Sequence, residues 1–524
     1  MGWVTIGETI KTFAERTPNK IATLDNNRKL TFKEWNERAN KIANALKGLG
    51  IEKGDRVAVL AYNCIEWMEI YAASAKAGFI VVPVMFRLAP PEMKYVINHS
   101  GAKALIYSED FNDTVNSISR DIPDVKIYIK FGGGECECGC EDETTYLYEG
   151  LIEKASSSEP DVKVDSKDIW IIMYTGGTTG LPKGVVKTHE SLVAQFLVTA
   201  YEKGFNETDI GMVVMPLCHI NSVYYGFTFT YIGATCYVYP MKSFDPEDLL
   251  RTISDERITF TSLVPTHYIM ILALSDNVKS KYNVDCIKKL LCSSAPVRRD
   301  TKLQILEFFK NSQLFEAYGS TEAGIVTILR PYEQLTKLGS IGREVIGIGR
   351  IKLLDENGNE VPVGEVGELY SKGPMMFSGY WNEPEKTAKA FKGDYFSAGD
   401  MAYKDEDGFF YLVDRKANMI ITGGENVYPS EVENVVGSHP AVKDVAVIGV
   451  PHEKWGEQVT AVVVLHQGKS ATAQEIIEHC RGKIAGFKIP KEVIFIKDEE
   501  MPRSGAGKIL HRILRETYGK EMRR

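Results

Sequence analysis

The hydrophobic period of the chain switches repeatedly between helix and strand, and that alternation constrains the fold more than any other feature. In "TFKEWNERANKIANALKGLG", Thr31 and Glu34 stand at capping-box spacing. Phe32, Trp35, Ala39, Ile42, Ala43 and Leu46 then recur on one helical face, and Gly48 and Gly50 punctuate the end. "RVAVLAY" follows as a short, nearly continuous apolar strand, "WMEIYAASAKAG" as another helix and "FIVVPV" as another strand. Strands that read as unbroken apolar runs are covered on both faces, so the pattern predicts an α/β architecture with buried strands. "IGIGRIKLLDENGNEVPVGEVGELY" departs from it. Turn signals at Glu356-Asn357-Gly358 and Val363-Gly364 predict a small antiparallel β-subdomain between about Ile341 and Tyr370.

A length of 524 residues implies two or more domains. A boundary is expected near Asp414, after "GFFYLVDR". Beyond it, "VYPSEVENVVGSHPAVKDVAVIGV" and "EQVTAVVVLH" begin an α+β unit of roughly a hundred residues. A net charge of −8 argues against nucleic acid as a partner, because such binders carry a basic footprint. No apolar run reaches the roughly eighteen residues needed to span a membrane as a helix. The start, "MGWVTIGETIKTF", lacks the basic and apolar regions of a secretory signal, and Ile6 stands where a myristoylation pattern needs Ser or Thr. The expected compartment is the cytoplasm. Nine cysteines form no disulfide framework. Cys136, Cys138 and Cys140 cluster in "GGGECECGCEDE", but a zinc site needs a fourth ligand and wider spacing, so the stretch reads as a solvated loop.

"YTGGTTGLPKG" has the make-up of a phosphate loop. Glycines let backbone N–H groups converge on an anion, Thr175, Thr178 and Thr179 add donors, and Lys183 supplies charge. It is not the nucleoside-triphosphatase loop, because Gly184 rather than a hydroxyl residue follows the lysine. "AYGSTEAG" adds a ring that stacks (Tyr318), hydroxyls (Ser320, Thr321) and a carboxylate suited to a divalent cation (Glu322). "YFSAGD" ends in Asp400, "VDRKANMIITGGENVYPSEVE" joins Arg415 to a turn at Gly423 and Gly424, and "PRSGAGK" offers Lys508. Each alone reads as an ordinary loop or a solvated side chain.

Taken in this order and across these distances, the stretches resemble the acyl-adenylate-forming superfamily, which includes acyl-CoA synthetases, aryl-CoA ligases, luciferases and peptide-synthetase adenylation domains. The resemblance covers nearly the whole chain, and its most specific part is the match of "YTGGTTGLPKG" to the family's Tyr-Thr-Ser-Gly-Thr-Thr-Gly-x-Pro-Lys-Gly. It implies a large AMP-binding domain over 1–414, a hinge at 415–417 and a smaller mobile α+β domain over 418–524. It also implies that Thr175, Gly176, Gly177, Thr178, Thr179, Gly180 and Lys183 hold the β- and γ-phosphates of ATP while a substrate carboxylate attacks the α-phosphorus to give an acyl-AMP. Both reactants are anions, so positioned cations are the remedy. By resemblance these are Mg²⁺ near Glu322, together with Lys183 and Lys508.

The adenine pocket implied is "CSSAP" (Ser294, Ala295, Pro296) with Glu316, Ala317, Tyr318, Gly319 and Ser320. Thr321 would contact phosphate, Asp400 with Arg415 would clamp the ribose, and His219 would stand at the mouth of the acyl pocket. In the second step the small domain would rotate near Ala417, replace Lys508 with the Gly423, Gly424 and Glu425 face, and admit the CoA thiol; Lys488 would hold CoA phosphates. Three positions depart from the pattern: Gly176 replaces a serine, Ala417 replaces the frequent Asp or Lys of the hinge, and Val223 stands where some long-chain enzymes carry a gate tryptophan.

The expected activity is an AMP-forming acid–CoA ligase using ATP, Mg²⁺ and coenzyme A. Tyr224, Tyr225 and Phe227 are expected near the acyl group, which favours short-to-medium aliphatic or compact cyclic acids. An aryl-CoA ligase, a long-chain fatty-acid–CoA ligase and an enzyme loading a separate carrier protein are the alternatives; a homodimer is left open.

Overall fold

The computed structural model describes residues 4–133, 145–175, 181–293, 297, 299–422, 425–452, 454–503 and 507–521. The predicted alternation is realised. Helix Phe32–Gly48 opens on a complete capping box, with Thr31 Oγ1 accepting from Glu34 N at 3.2 Å and Glu34 Oε2 accepting from Thr31 N at 2.9 Å. Strand Arg56–Leu60, helix Ile65–Ala77 and strand Ile80–Pro83 follow, and the two strands pair in parallel. Helix Ile65–Ala77 shows no amphipathic stripe because nearly every residue in it is buried, as a helix inside a layered core must be.

Two compact units make up the fold. The first contains the residues up to Thr175, Pro182–Arg350 and Ser371–Phe396. Its first sheet runs, in spatial order, Thr145–Leu147, Ile127–Phe131, Ala102–Ser108, Arg56–Leu60, Ile80–Pro83, Ile169–Thr175, Lys183–Thr188. These pairings are parallel except the last, which is an antiparallel hairpin. A second sheet has a parallel centre built from Lys289–Cys292, Phe260–Leu263, Ile210–Val213 and Thr235–Val238, and strand Gln313–Ser320 extends it to the antiparallel strand Gly324–Leu329. One core lies against both sheets: Val57, Val59 and Val81 of the first share it with Val213, Val238 and Phe260 of the second. Alternate residues Ala58, Leu60 and Val82 face a separate cluster, which is why the strands read as apolar on both sides.

The second unit comprises Ile351–Tyr370 and the residues from Ser397 onward. The expected antiparallel element is present as a four-stranded sheet, Lys352–Leu354, Gly367–Tyr370, Asp400–Lys404 and Phe410–Arg415, so it reaches well past Tyr370. The long hairpin Val442–His452/Gly456–Leu465 centres a further sheet, against which helix Pro429–Val436 packs. No helix among the described residues is long and apolar enough to cross a membrane.

Candidate active site

The glycine-rich loop spans the turn of the hairpin formed by Ile169–Thr175 and Lys183–Thr188. Thr175 and Lys183 are direct cross-strand partners, so the loop leaves and re-enters at one point. Gly176, Gly177, Thr178, Thr179 and Gly180 lie outside the described residues. The lysine's strand is fixed on its other side by the segment Phe377–Trp381. Trp381 N donates to Gly184 O at 2.7 Å, Val186 N donates to Gly379 O at 3.0 Å, and Val185 bridges Tyr380. Gly184 is glycine for a packing reason: a Cβ there would lie 2.9 Å from Ile172 Cγ2 and 3.1 Å from Trp381 Cβ.

The same segment fixes Glu322. Phe377 N donates to Glu322 O at 2.7 Å, and the Tyr380 hydroxyl donates to Glu322 Oε1 at 3.0 Å. The Lys183 ammonium lies over the Tyr380 ring, 4.5 Å from its centroid. Sequence reading singled out Lys183 and Glu322 but missed Tyr380, which touches both. Lys187 was missed as well. It follows Lys183 and Val185 on one face of the strand, fully buried, with Nζ donating to Met375 O at 2.5 Å. Burial pulls its ammonium down to about 7, with the Glu322 carboxylate acting in the opposite direction. A lysine inside an apolar strand, in step with Lys183, was the signal that could have found it.

"AYGSTEAG" turns from strand Gln313–Ser320 into Gly324–Leu329. A Cβ on Gly319 would stand 2.1 Å from Gly324 O, so the strands can close here only on glycine, and Gly324 takes φ +75°. Ser320 Oγ accepts from Ala323 N at 3.0 Å, and Thr321 is buried beside the Tyr224 hydroxyl, 3.5 Å from its carbonyl. Ala317 and Tyr318 are half-buried on the first strand. Glu316 is engaged structurally: its carboxylate meets the buried Lys302 ammonium at 2.5 Å, burial pushing its titration up and Lys302 holding it down. Ser294, Ala295 and Pro296 lie outside the described residues.

His219 caps helix Ile220–Tyr231, its Nδ1 accepting from Asn221 N at 3.3 Å. Of the three aromatic residues expected around the acyl group, Phe227 belongs to the core instead. Its ring meets Trp170 at 4.9 Å and Tyr71 at 5.7 Å, edge to face. Tyr225 packs on Phe260 at 5.0 Å, which leaves Tyr224 as the ring near Thr321. Val223 is fully buried on the same helix.

In the second unit Asp400 and Arg415 are cross-strand partners, with Nε donating to Oδ1 at 3.1 Å. Lys508 joins them. Its side chain is exposed, yet neighbouring protein and the Arg415 guanidinium depress its titration, with Asp400 opposing them. Glu425 is exposed on strand Glu425–Val427, whereas Gly423 and Gly424 lie outside the described residues. Lys488 is held by Glu431 at 2.6 Å. Ala417 sits in the short 3-10 turn Lys416–Asn418. Cys136, Cys138 and Cys140 lie outside the described residues.

Comparison with known proteins shows the family of the chain. The family model described as AMP-binding enzyme matches residues 10–381, and the AMP-binding enzyme C-terminal domain matches 431–508. A feruloyl-CoA synthase from Amycolatopsis sp. is 33% identical over 516 residues, covering 97% of each chain. The long-chain-fatty-acid–CoA ligase FadD13 of Mycobacterium tuberculosis is 34% identical over 493 residues, covering 94% of this chain and 93% of its own. The crystal structure of the anthranilate CoA ligase AuaEII with anthranoyl-AMP superposes with a TM-score of 0.88 at 27% identity, covering 99% of this chain and 98% of that one. The chain belongs to the AMP-binding enzyme family and is an acid–thiol ligase of that family.

Proposed function

We propose that the chain joins a carboxylic acid to coenzyme A in two steps, through an acyl-AMP made from ATP. The observation that carries this reading is the Asp400–Arg415 pair, a carboxylate able to take ribose hydroxyls held by a guanidinium, whose charges both act on Lys508. Lys183 and Glu322 would serve the phosphates of the same nucleotide. The residues suit Mg²⁺ brought in on ATP: Glu322 supplies a hard oxygen, and among the described residues no group of three acidic, His or Cys side chains forms a cage of its own. The metal would neutralise phosphate charge. Lys508 would stabilise the approach of the carboxylate to the α-phosphorus, and no base is required because the acid is already ionised near neutral pH. His219 and Thr321 belong to the acyl and phosphate ends of this reading.

The functional division is an AMP-binding domain over 1–414, a hinge at 415–417 and a mobile domain over 418–524, with rotation exchanging Lys508 for the face that carries Glu425. Tyr224 beside Thr321 supports a compact acid, aliphatic or cyclic. An aryl acid is the second reading, because relatives act as a feruloyl-CoA synthase and an anthranilate CoA ligase. The test is pyrophosphate release across a panel of acids, from acetate to palmitate with benzoates and cinnamates, followed by thioester formation with CoA. Release without any CoA thioester, restored by a carrier protein, would overturn the CoA assignment. A kcat/KM that rises through palmitate would overturn the compact acid.

A further inference from the structure

Tyr380 touches both charged groups of the phosphate site through different parts of one side chain. Its hydroxyl donates to Glu322 Oε1 at 3.0 Å, and its ring face carries the Lys183 ammonium at 4.5 Å. The side chain is buried, its ring packs edge to face on Phe377 at 4.9 Å, and its backbone bridges Val185, two residues beyond Lys183. Phe377 N holds the Glu322 carbonyl and Trp381 N holds the Gly184 carbonyl. One five-residue segment therefore sets the distance between the carboxylate and the lysine, and the tyrosine ring fills it.

We propose that Tyr380 is a positioning residue of the ATP-phosphate site, which keeps the Lys183 ammonium and the Glu322 carboxylate from closing into a direct ion pair. This rests on the reading of Lys183 and Glu322 as the phosphate and metal groups. An ammonium and a carboxylate that meet in a partly buried site are hard to separate, since each would be left without its partner. An ammonium on a ring face is held more weakly, and a polyphosphate takes it readily. The hydroxyl occupies one oxygen of Glu322 with a neutral donor and leaves the carboxylate's charge for a metal. Tyr380 thus keeps the cation parked and the anion oriented before nucleotide arrives.

The test compares Tyr380→Phe, which keeps the ring and loses the hydroxyl, with Tyr380→Leu, which loses both. ATP binding is measured by calorimetry without carboxylic acid, so that no turnover occurs, in the presence and absence of Mg²⁺. The Phe variant is expected to bind metal-free ATP like wild type but to need about 3–10-fold more Mg²⁺ to reach half of the metal-dependent change in ATP binding, the worth of one hydrogen bond. The Leu variant is expected to lose about tenfold in metal-free ATP affinity as Lys183 collapses onto Glu322. Adding Glu322→Gln to it should recover most of that loss, because the collapse then has no anion to reach. A purely structural tyrosine would show no such recovery, and that outcome overturns the proposal, as does an unshifted Mg²⁺ requirement in the Phe variant. The Phe variant keeps the packing on Phe377, so its Mg²⁺ dependence decides the matter even where the Leu variant fails to fold. Lys183→Ala and Glu322→Gln alone separate the two levels. If neither alters ATP or Mg²⁺ binding, the reading of the site fails. If both do and the Tyr380 variants do not, only the role of Tyr380 fails.

Discussion

Glu322 is bound at both ends, its carbonyl by Phe377 N and its carboxylate by the Tyr380 hydroxyl, so a change of charge there need not disturb its placement. Glu322→Gln keeps an oxygen that accepts from Tyr380 while removing the negative charge. Adenylation at limiting Mg²⁺ should fall by about 10²-fold or more, with part of the rate recovered in excess Mg²⁺ and an unchanged melting curve. An equal rate at limiting Mg²⁺ would remove Glu322 from the metal site. Two glycines give a contrasting pair for stability. Gly319→Ala drives a methyl to 2.1 Å from a backbone oxygen and should destabilise by about 1–3 kcal/mol or more, since strands cannot yield as a side chain can. Gly48→Ala, at the end of helix Phe32–Gly48 with nothing within 4 Å, should be neutral or stabilise by about 0.4–1 kcal/mol. Thermal melts of the two variants check both.

The turn that bears Lys508 is tied down by the elements on either side of it. Arg503 bridges Ile509, Leu510 N donates to Pro502 O at 2.9 Å, and His511, at the start of helix His511–Glu521, meets Glu433 at 2.7 Å. Burial works against a charged His511, but the hydrogen bond and charge of Glu433, with Asp414 beside it, outweigh burial and the opposing Arg515, so the ring titrates above its usual 6.5. A folded value above the unfolded one means that the contribution is whole below about pH 6.5 and is lost as pH rises through the folded value. His511→Gln should therefore cost about 1–2 kcal/mol at pH 5.5–6 and distinctly less at pH 8.5, read as the difference between wild-type and variant melts at each pH. An equal cost at both would mean that the pair is not ionic. Features written in local spacing were legible in the sequence: the Thr31–Glu34 box, the alternation of helix and strand, and the phosphate-loop make-up of "YTGGTTGLPKG"; that this loop joins the two strands of a hairpin was not. Features that depend on chain segments far apart were not. Tyr380 meets Glu322 across 58 residues, and nothing near "SGYW" signals it. Glu316 finds Lys302 on a separate helix, and the helix that carries Tyr224 and Phe227 has apolar residues all round, so its period could not say which ring faces a substrate and which the core.

At the scale of the whole molecule, the two units carry different parts of the chemistry: the first holds Lys183 and Glu322, the second holds Asp400, Arg415 and Lys508. A reaction in two steps gives that division a purpose, because a cation needed while two anions approach is not needed once the adenylate exists. Lys508 is the residue on which this turns. Its side chain is exposed, and the charges of Arg415 and Asp400 act on it in opposite directions, whereas Lys488 is held by Glu431 at 2.6 Å. Lys508→Ala should slow adenylation by roughly 10²–10³-fold, the usual cost of losing a donor aimed at developing charge. The same preparation, supplied with preformed acyl-AMP and CoA, should make thioester within about twofold of the wild-type rate, since the lysine serves a bond already formed. Both half-reactions must be measured on one preparation, because damage to the fold lowers them together. Equal losses in the two would show that Lys508 acts throughout, and that the proposed 418–524 domain does not exchange one face for another between the steps.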